Sequence, residues 1–231
     1  MYFYDWILLN KETLKVLYGA VIGLICAVIV LRTDRLFRLS LHQGIRYFRN
    51  AFFFFGIGFI IRYFLSPLDF SGREGIIYHS LANFLFEYFL VMAGFFLLYS
   101  LLWRRLEGKG ENYFSSLFNF RILVFHIMAI LIVVLDTVWG SYLFMFSSQI
   151  IIFTITCAIS LVNYAENGSK HKFLKFYFLA MLLSLVAWVL NALIALALNW
   201  HKVVLTDIYI INLLIFLLFL YGVVKLTRKI N

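Results

Sequence analysis

Apolar residues fall into seven long runs, and polar residues are confined to the short segments between them. The runs cover residues 14–31, 41–64, 78–102, 120–138, 142–163, 173–198 and 205–224. A helix rises 1.5 Å per residue, so about 20 apolar residues cross a hydrocarbon layer about 30 Å thick. Each run is near that length. None shows the sustained two-residue alternation of a membrane strand, which excludes a β-barrel. The pattern predicts an all-α fold: a polytopic membrane protein forming one seven-transmembrane-helix bundle over residues 1–231.

Composition strengthens this reading. Hydrophobic residues make up 64% of the chain and charged residues 13%, and the mean hydropathy is +0.95. A soluble domain is about half apolar and about a quarter charged, because much of its surface must face water. The charges that remain are unevenly placed. Segments on the side of the first, third and fifth loops and the C-terminus hold fifteen basic and four acidic residues; those on the other side hold five and seven. Basic loops stay cytoplasmic, so the N-terminus is expected outside and the C-terminus inside, in the cell membrane. The net charge of +9 is therefore a topology signal and does not point to nucleic acid. Arg32, Arg35, Arg38, Arg104 and Arg105 form a basic inner face. The expected partners are the lipid bilayer, with anionic lipid attracted by about 1 kcal/mol per cation, and a separate output protein. Met1 to Asn10 has no basic n-region and does not read as a signal peptide.

Ionisable and amide side chains at membrane depth are costly unless satisfied, so they mark candidate sites. In the third run His79, Asn83 and Glu87 recur at four-residue steps and share one helix face. Glu87 is the sharpest candidate, either as a ligand contact or proton-accepting group, or as a structural group paired with Arg62. Arg62 lies near the outer end of the second run, with snorkelling to the surface as its plainest role. Asp136 and Asp207 stand near the outer boundary and read as solvated. Tyr142, Gln149, Thr156, Ser160 and Asn163 form a stripe suited to hydrogen bonding between helices. Trp188, Asn191 and Asn199 share a face of the sixth run; Tyr209 and Asn212 share one of the seventh. If the helices close in sequence order, Arg62, His79, Asn83, Glu87, Gln149, Trp188, Asn191, Tyr209 and Asn212 gather around a polar cavity open to the outside. Gly19, Gly23 and Ala27 form a small-residue ridge for close helix packing.

Other chemistry is not supported. Cys26 and Cys157 lie inside apolar runs and read as packing residues. No CxxC or Cys/His cluster suggests a metal, and no cofactor is expected. Haem would need a second histidine opposite His126, for which His42 is the available position. Gly108-Lys109-Gly110 lacks the rest of a phosphate-binding loop. No catalytic constellation stands out.

Seven helices with an external N-terminus are similar to microbial rhodopsins, but the run 205–224 has no lysine to hold retinal, and Lys225 stands at its inner end. The stretch from Arg32 to Phe64 is a basic first loop that leads into an aromatic span containing Arg46-Tyr47-Phe48-Arg49-Asn50. It resembles the seven-helix sensory modules at the N-terminus of some prokaryotic histidine kinases. That resemblance implies a seven-helix membrane fold in this orientation and a sensory role. The expected function is a receptor-like module that binds a small or lipophilic ligand. A proton-coupled carrier that uses Glu87 and an accessory subunit of a membrane complex are the alternatives.

Overall fold

The computed structural model describes residues 11–65, 73–106, 120–167, 172–197 and 202–228. Seven α-helices occupy them: α1 (Lys11–Ser40), α2 (Gln43–Ile60), α3 (Arg73–Leu106), α4 (Phe120–Trp139), α5 (Leu143–Asn167), α6 (Lys172–Ala197) and α7 (Lys202–Arg228). A π-helical turn, Ile61–Leu65, continues α2. Stretches of α1 to α6 are long and apolar enough to cross a membrane, and α7 carries a shorter apolar stretch, Tyr209–Lys225. The expected loops around Pro67 and Gly108-Lys109-Gly110, and Asn199, lie outside the described residues, as do the side chains of Arg104, Arg105 and Asp207.

The helices follow the predicted runs, several extending three to five residues past them, and the largest extension is at the end of α1. The first run stops at residue 31 in the sequence pattern, but α1 continues to Ser40. Its last turns satisfy themselves locally. The Thr33 hydroxyl donates to the Ile29 carbonyl at 2.6 Å, and Arg38 pairs with Asp34 one turn back at 2.9 Å, the spacing at which helix side chains meet. The expected basic loop is thus a helix end, and Arg32, Arg35 and Arg38 are exposed on it. The reversal is only two residues long. Leu41 takes a left-handed conformation with φ of 52°, which costs a non-glycine residue about 1–2 kcal/mol. Its N–H donates to the Phe37 carbonyl at 2.7 Å and closes the end of α1. Asp34 also pairs with Arg49 of α2, which ties the two arms of the hairpin together.

The helices do not close in sequence order. Neighbours run α1, α2, α3, α5, α6, α7 and back to α1, while α4 packs outside this ring against α3 and α5. The α3–α5 contact that excludes α4 is built around Gly94. A Cβ at Gly94 would lie 2.8 Å from Gln149 Oε1, so a larger residue there would force the Gln149 amide to move. Gln149 Nε2 then donates to the Leu90 carbonyl at 3.3 Å. Helix α4, by contrast, leaves Leu123, Ile127, Leu131 and Val138 exposed along its length.

The small-residue ridge on α1 is shorter than expected. Gly19 and Gly23 face Tyr63 and Ile60 of the α2 segment, whereas Ala27 is exposed. Cys26 takes the next position and meets Gly56. Across the ring, Phe52, Phe55 and Phe59 of α2 face Phe216 and Phe219 of α7. Ring centroids are 5.0 Å apart for Phe52–Phe219 and 5.5 Å for Phe59–Phe216, and near-perpendicular planes place ring edges against ring faces.

Candidate functional site

The six-helix ring encloses a cavity of about 520 Å³. Every ring helix contributes to its wall and α4 contributes nothing. The volume is within the range of about 300–1,000 Å³ typical of small-molecule sites.

Consecutive helices alternate in direction, so in the ring α3 runs parallel to α5 and α7 to α1, and the order of wall residues along each helix gives the depth of the cavity. One end is formed by the start of α1, the π-turn after α2, the starts of α5 and α7, and the end of α6. It carries Lys15, Arg62, Tyr63, Asn191, Tyr209 and Asn212. The other end carries Phe52, Leu97, Phe153 and Phe219. Phe52 to Arg62 is ten residues, or about 15 Å along a helix. Ser184 is the polar residue near the floor, and its hydroxyl donates to the Ala180 carbonyl at 2.7 Å. The floor is therefore effectively apolar, and the cavity has a polar mouth above an aromatic shaft.

Five of the nine candidate site residues lie on this wall: Arg62, Trp188, Asn191, Tyr209 and Asn212. The other four do not. His79 is exposed on α3. Asn83 stands behind the mouth, where its carbonyl oxygen accepts a hydrogen bond from an Arg62 Nη; the Arg62 guanidinium also lies 5.3 Å from the centre of the Phe86 ring. Gln149 is fully buried in the α3–α5 contact. Glu87 is 6% exposed. Its Oε2 makes no hydrogen bond, it lies within electrostatic reach of Arg62 and Asp136, and it is absent from the wall. The expectation of a largely polar cavity gives way to an amphipathic one, because several polar groups are used between helices.

Asp136 is likewise not a solvated surface group. It is 3% exposed, and its two carboxylate oxygens accept the Phe144 N–H at 2.8 Å and the Met145 N–H at 2.6 Å. It caps the N-terminus of α5, where a negative charge also meets the positive end of the helix dipole. Thr156 and Ser160 donate to carbonyls of their own helix, Ile152 and Thr156, so their stripe binds no neighbour through these hydroxyls. His126 shares a hydrogen bond with the Tyr88 hydroxyl at 2.6 Å. His42 packs against Trp103 with ring centroids 5.0 Å apart.

Several wall residues were not singled out from the sequence. Lys15 sits one position inside the first apolar run, and an isolated cation there was a usable signal. Phe52, Phe55 and Phe59 recur at three- and four-residue steps, the spacing of one helix face. In so aromatic a chain that spacing reads as ordinary core. Tyr63 reaches the wall through the π-turn, a feature that commonly accompanies functional sites. Among the described residues no group of three His, Cys, Asp or Glu side chains is placed to hold a metal ion.

No protein-family model, no curated protein and no solved structure matches the chain.

Proposed function

We propose that this chain is an integral membrane protein with its N-terminus outside and its C-terminus cytoplasmic, and that its six-helix ring holds a small lipophilic ligand as a receptor-like module. The cavity carries this reading: six helices converge on a cavity of about 520 Å³. Membrane embedding is supported by exposed apolar side chains such as Leu24, Leu31, Ile127 and Leu193, which water would disfavour by about 25 cal/mol per Å². Orientation is supported by the charge bias, with Arg32, Arg35 and Arg38 exposed at the end proposed to be cytoplasmic. That end would face anionic lipid or an output partner, and the cavity mouth would face outward.

A carrier that uses Glu87 as its proton site draws less support. Glu87 stands behind the wall, and among the described residues those on the wall near the mouth bear no carboxylate. The test of the ligand reading is occupancy. Wild-type protein purified in mild detergent is expected to retain a small molecule visible by native mass spectrometry. Ala187→Phe, which fills the shaft, is expected to lose it while keeping the helical circular dichroism. Wild-type protein that is empty, and that no lipophilic compound stabilises, would overturn the proposal.

A further inference from the structure

The distribution of charge and apolar surface along the shaft specifies more than "lipophilic". We infer that the cavity takes a single-chain amphiphile with an anionic head, the head held at the mouth by Arg62 and Lys15 and the chain extended toward Phe52 and Phe219. This rests on the ligand-binding reading above and names the class of ligand.

Three observations converge. First, among the described residues the charged ones on the wall are Lys15 and Arg62, with no Asp or Glu beside them. Asn83, the hydrogen-bond partner of Arg62, is neutral, so it orients the guanidinium without cancelling its charge. Glu87, within electrostatic reach of Arg62, and Asp136 both lie off the wall, and Asp136 is engaged in capping α5. In a low-dielectric shaft, a guanidinium and an ammonium at one mouth favour an anion strongly over a cation. A guanidinium also presents paired N–H groups that match the oxygens of a carboxylate or phosphate.

Second, polarity is confined to the mouth. Tyr63, Asn191, Tyr209 and Asn212 stand there with the two cations. Below them the wall is mainly Phe, Leu, Met and Ile with Ala187 and Trp188, and the Ser184 hydroxyl is bonded within its own helix. A ligand polar at both ends would leave one end unsatisfied at the floor, which costs about 1–3 kcal/mol or more for each buried polar group.

Third, length fits. The shaft runs about 15 Å from Arg62 to Phe52 at 1.5 Å per residue. That is half of the ~30 Å hydrocarbon core, the depth of one leaflet. A chain whose head sits at the interface therefore reaches the floor without leaving the depth it occupies in the bilayer.

The head is defined by its charge, and two sources supply it: a fatty-acid carboxylate or the phosphate of a single-chain lipid. The full chain is reconstituted in nanodiscs of neutral phosphatidylcholine. It is titrated by thermal shift with dodecanoate, dodecyl phosphate, dodecanol and dodecyltrimethylammonium. The expected result is at least tenfold tighter apparent binding of one or both anions than of dodecanol, with the ammonium compound weakest. The tighter of the two anions assigns the head. Arg62→Gln is expected to remove most of the anion preference and leave dodecanol binding within threefold, while Arg62→Lys retains it. Should Arg62→Gln fail to fold for want of its Asn83 contact, Lys15→Gln is expected to reduce the same preference. Equal binding of anionic, neutral and cationic probes overturns the inference and leaves the ligand-binding reading standing. No binding by any of the four removes both.

Discussion

Asp136→Ala separates a structural carboxylate from a functional one. The side chain is almost completely buried and accepts two backbone N–H groups at 2.8 and 2.6 Å. Each such bond to a charged acceptor is worth about 1.5–3 kcal/mol, and an orphaned buried donor costs about 1–3 kcal/mol. These overlap, because losing the bond and orphaning the donor are one event. Substitutions at N-caps alone cost about 0.5–2 kcal/mol, and loss of the charge at the helix N-terminus adds up to about 2 kcal/mol in a partly buried setting. Some relief comes from the hairpin: Trp139 and Gly140 beside it are exposed, so water can reach the freed N–H groups. The expected destabilisation is about 2–4 kcal/mol. Asp136→Asn keeps one acceptor but turns an NH₂ toward the second N–H, so about 1–2 kcal/mol is expected.

Reversible unfolding in mixed micelles, followed by circular dichroism, measures both variants. The order wild type, Asn, Ala is the test. An alanine variant within 0.5 kcal/mol of wild type, the low end of the cap range, would refute the capping argument. So would a stabilised one, which would mean that the cost of burying the carboxylate outweighs its two hydrogen bonds.

The α3–α5 contact predicts a non-additive pair. Gly94→Ala is expected to cost about 1–3 kcal/mol through overpacking against the Gln149 oxygen. Gln149→Ala removes the obstacle, so the double variant should be more stable than the summed singles by about 0.5–3 kcal/mol in a double-mutant cycle; additivity would show that the two residues do not meet. The proposed orientation predicts opposite labelling of two exposed positions in a background with Cys26 and Cys157 replaced by serine. A membrane-impermeant maleimide added to intact cells should modify Trp139→Cys and spare Ser40→Cys. The reverse pattern would turn the cavity mouth to the cytoplasm.

Helix positions were legible because two strong physical requirements coincide in this chain. Length and apolar content set where a helix can cross a bilayer, and charge sets where it stops. The exception, 32–40, shows the limit of the second rule. Arg32, Arg35 and Arg38 end the apolar run but not the helix, since Asp34 and Thr33 satisfy charge and hydroxyl within helical turns. Neighbour order was not legible. Hydropathy registers that α4 is apolar, but a side chain facing lipid and one facing another helix are equally apolar. The Gly94–Gln149 fit, two helices apart in sequence, is part of the contact that brings α5 against α3.

The same ambiguity governed the site. A polar residue within an apolar run implies that something satisfies it, without indicating whether that is a neighbouring backbone group or a ligand. Gln149 and Asn191 look alike in sequence, yet one is used between helices at the Leu90 carbonyl and the other lines the cavity. Glu87 stood out most from its chemistry, but a carboxylate draws attention wherever it lies, and this one lies behind the wall. Lys15 and the Phe52-Phe55-Phe59 face drew none, though the cavity is built from them. Cations at a helix end and aromatics at helical spacing are what any membrane helix contains. What distinguishes these is convergence. Residues from six helices line one cavity, with Lys15 and Arg62 at one end and mostly aromatic side chains at the other, and it is this gradient along the shaft, more than any single residue, that carries the proposed ligand class.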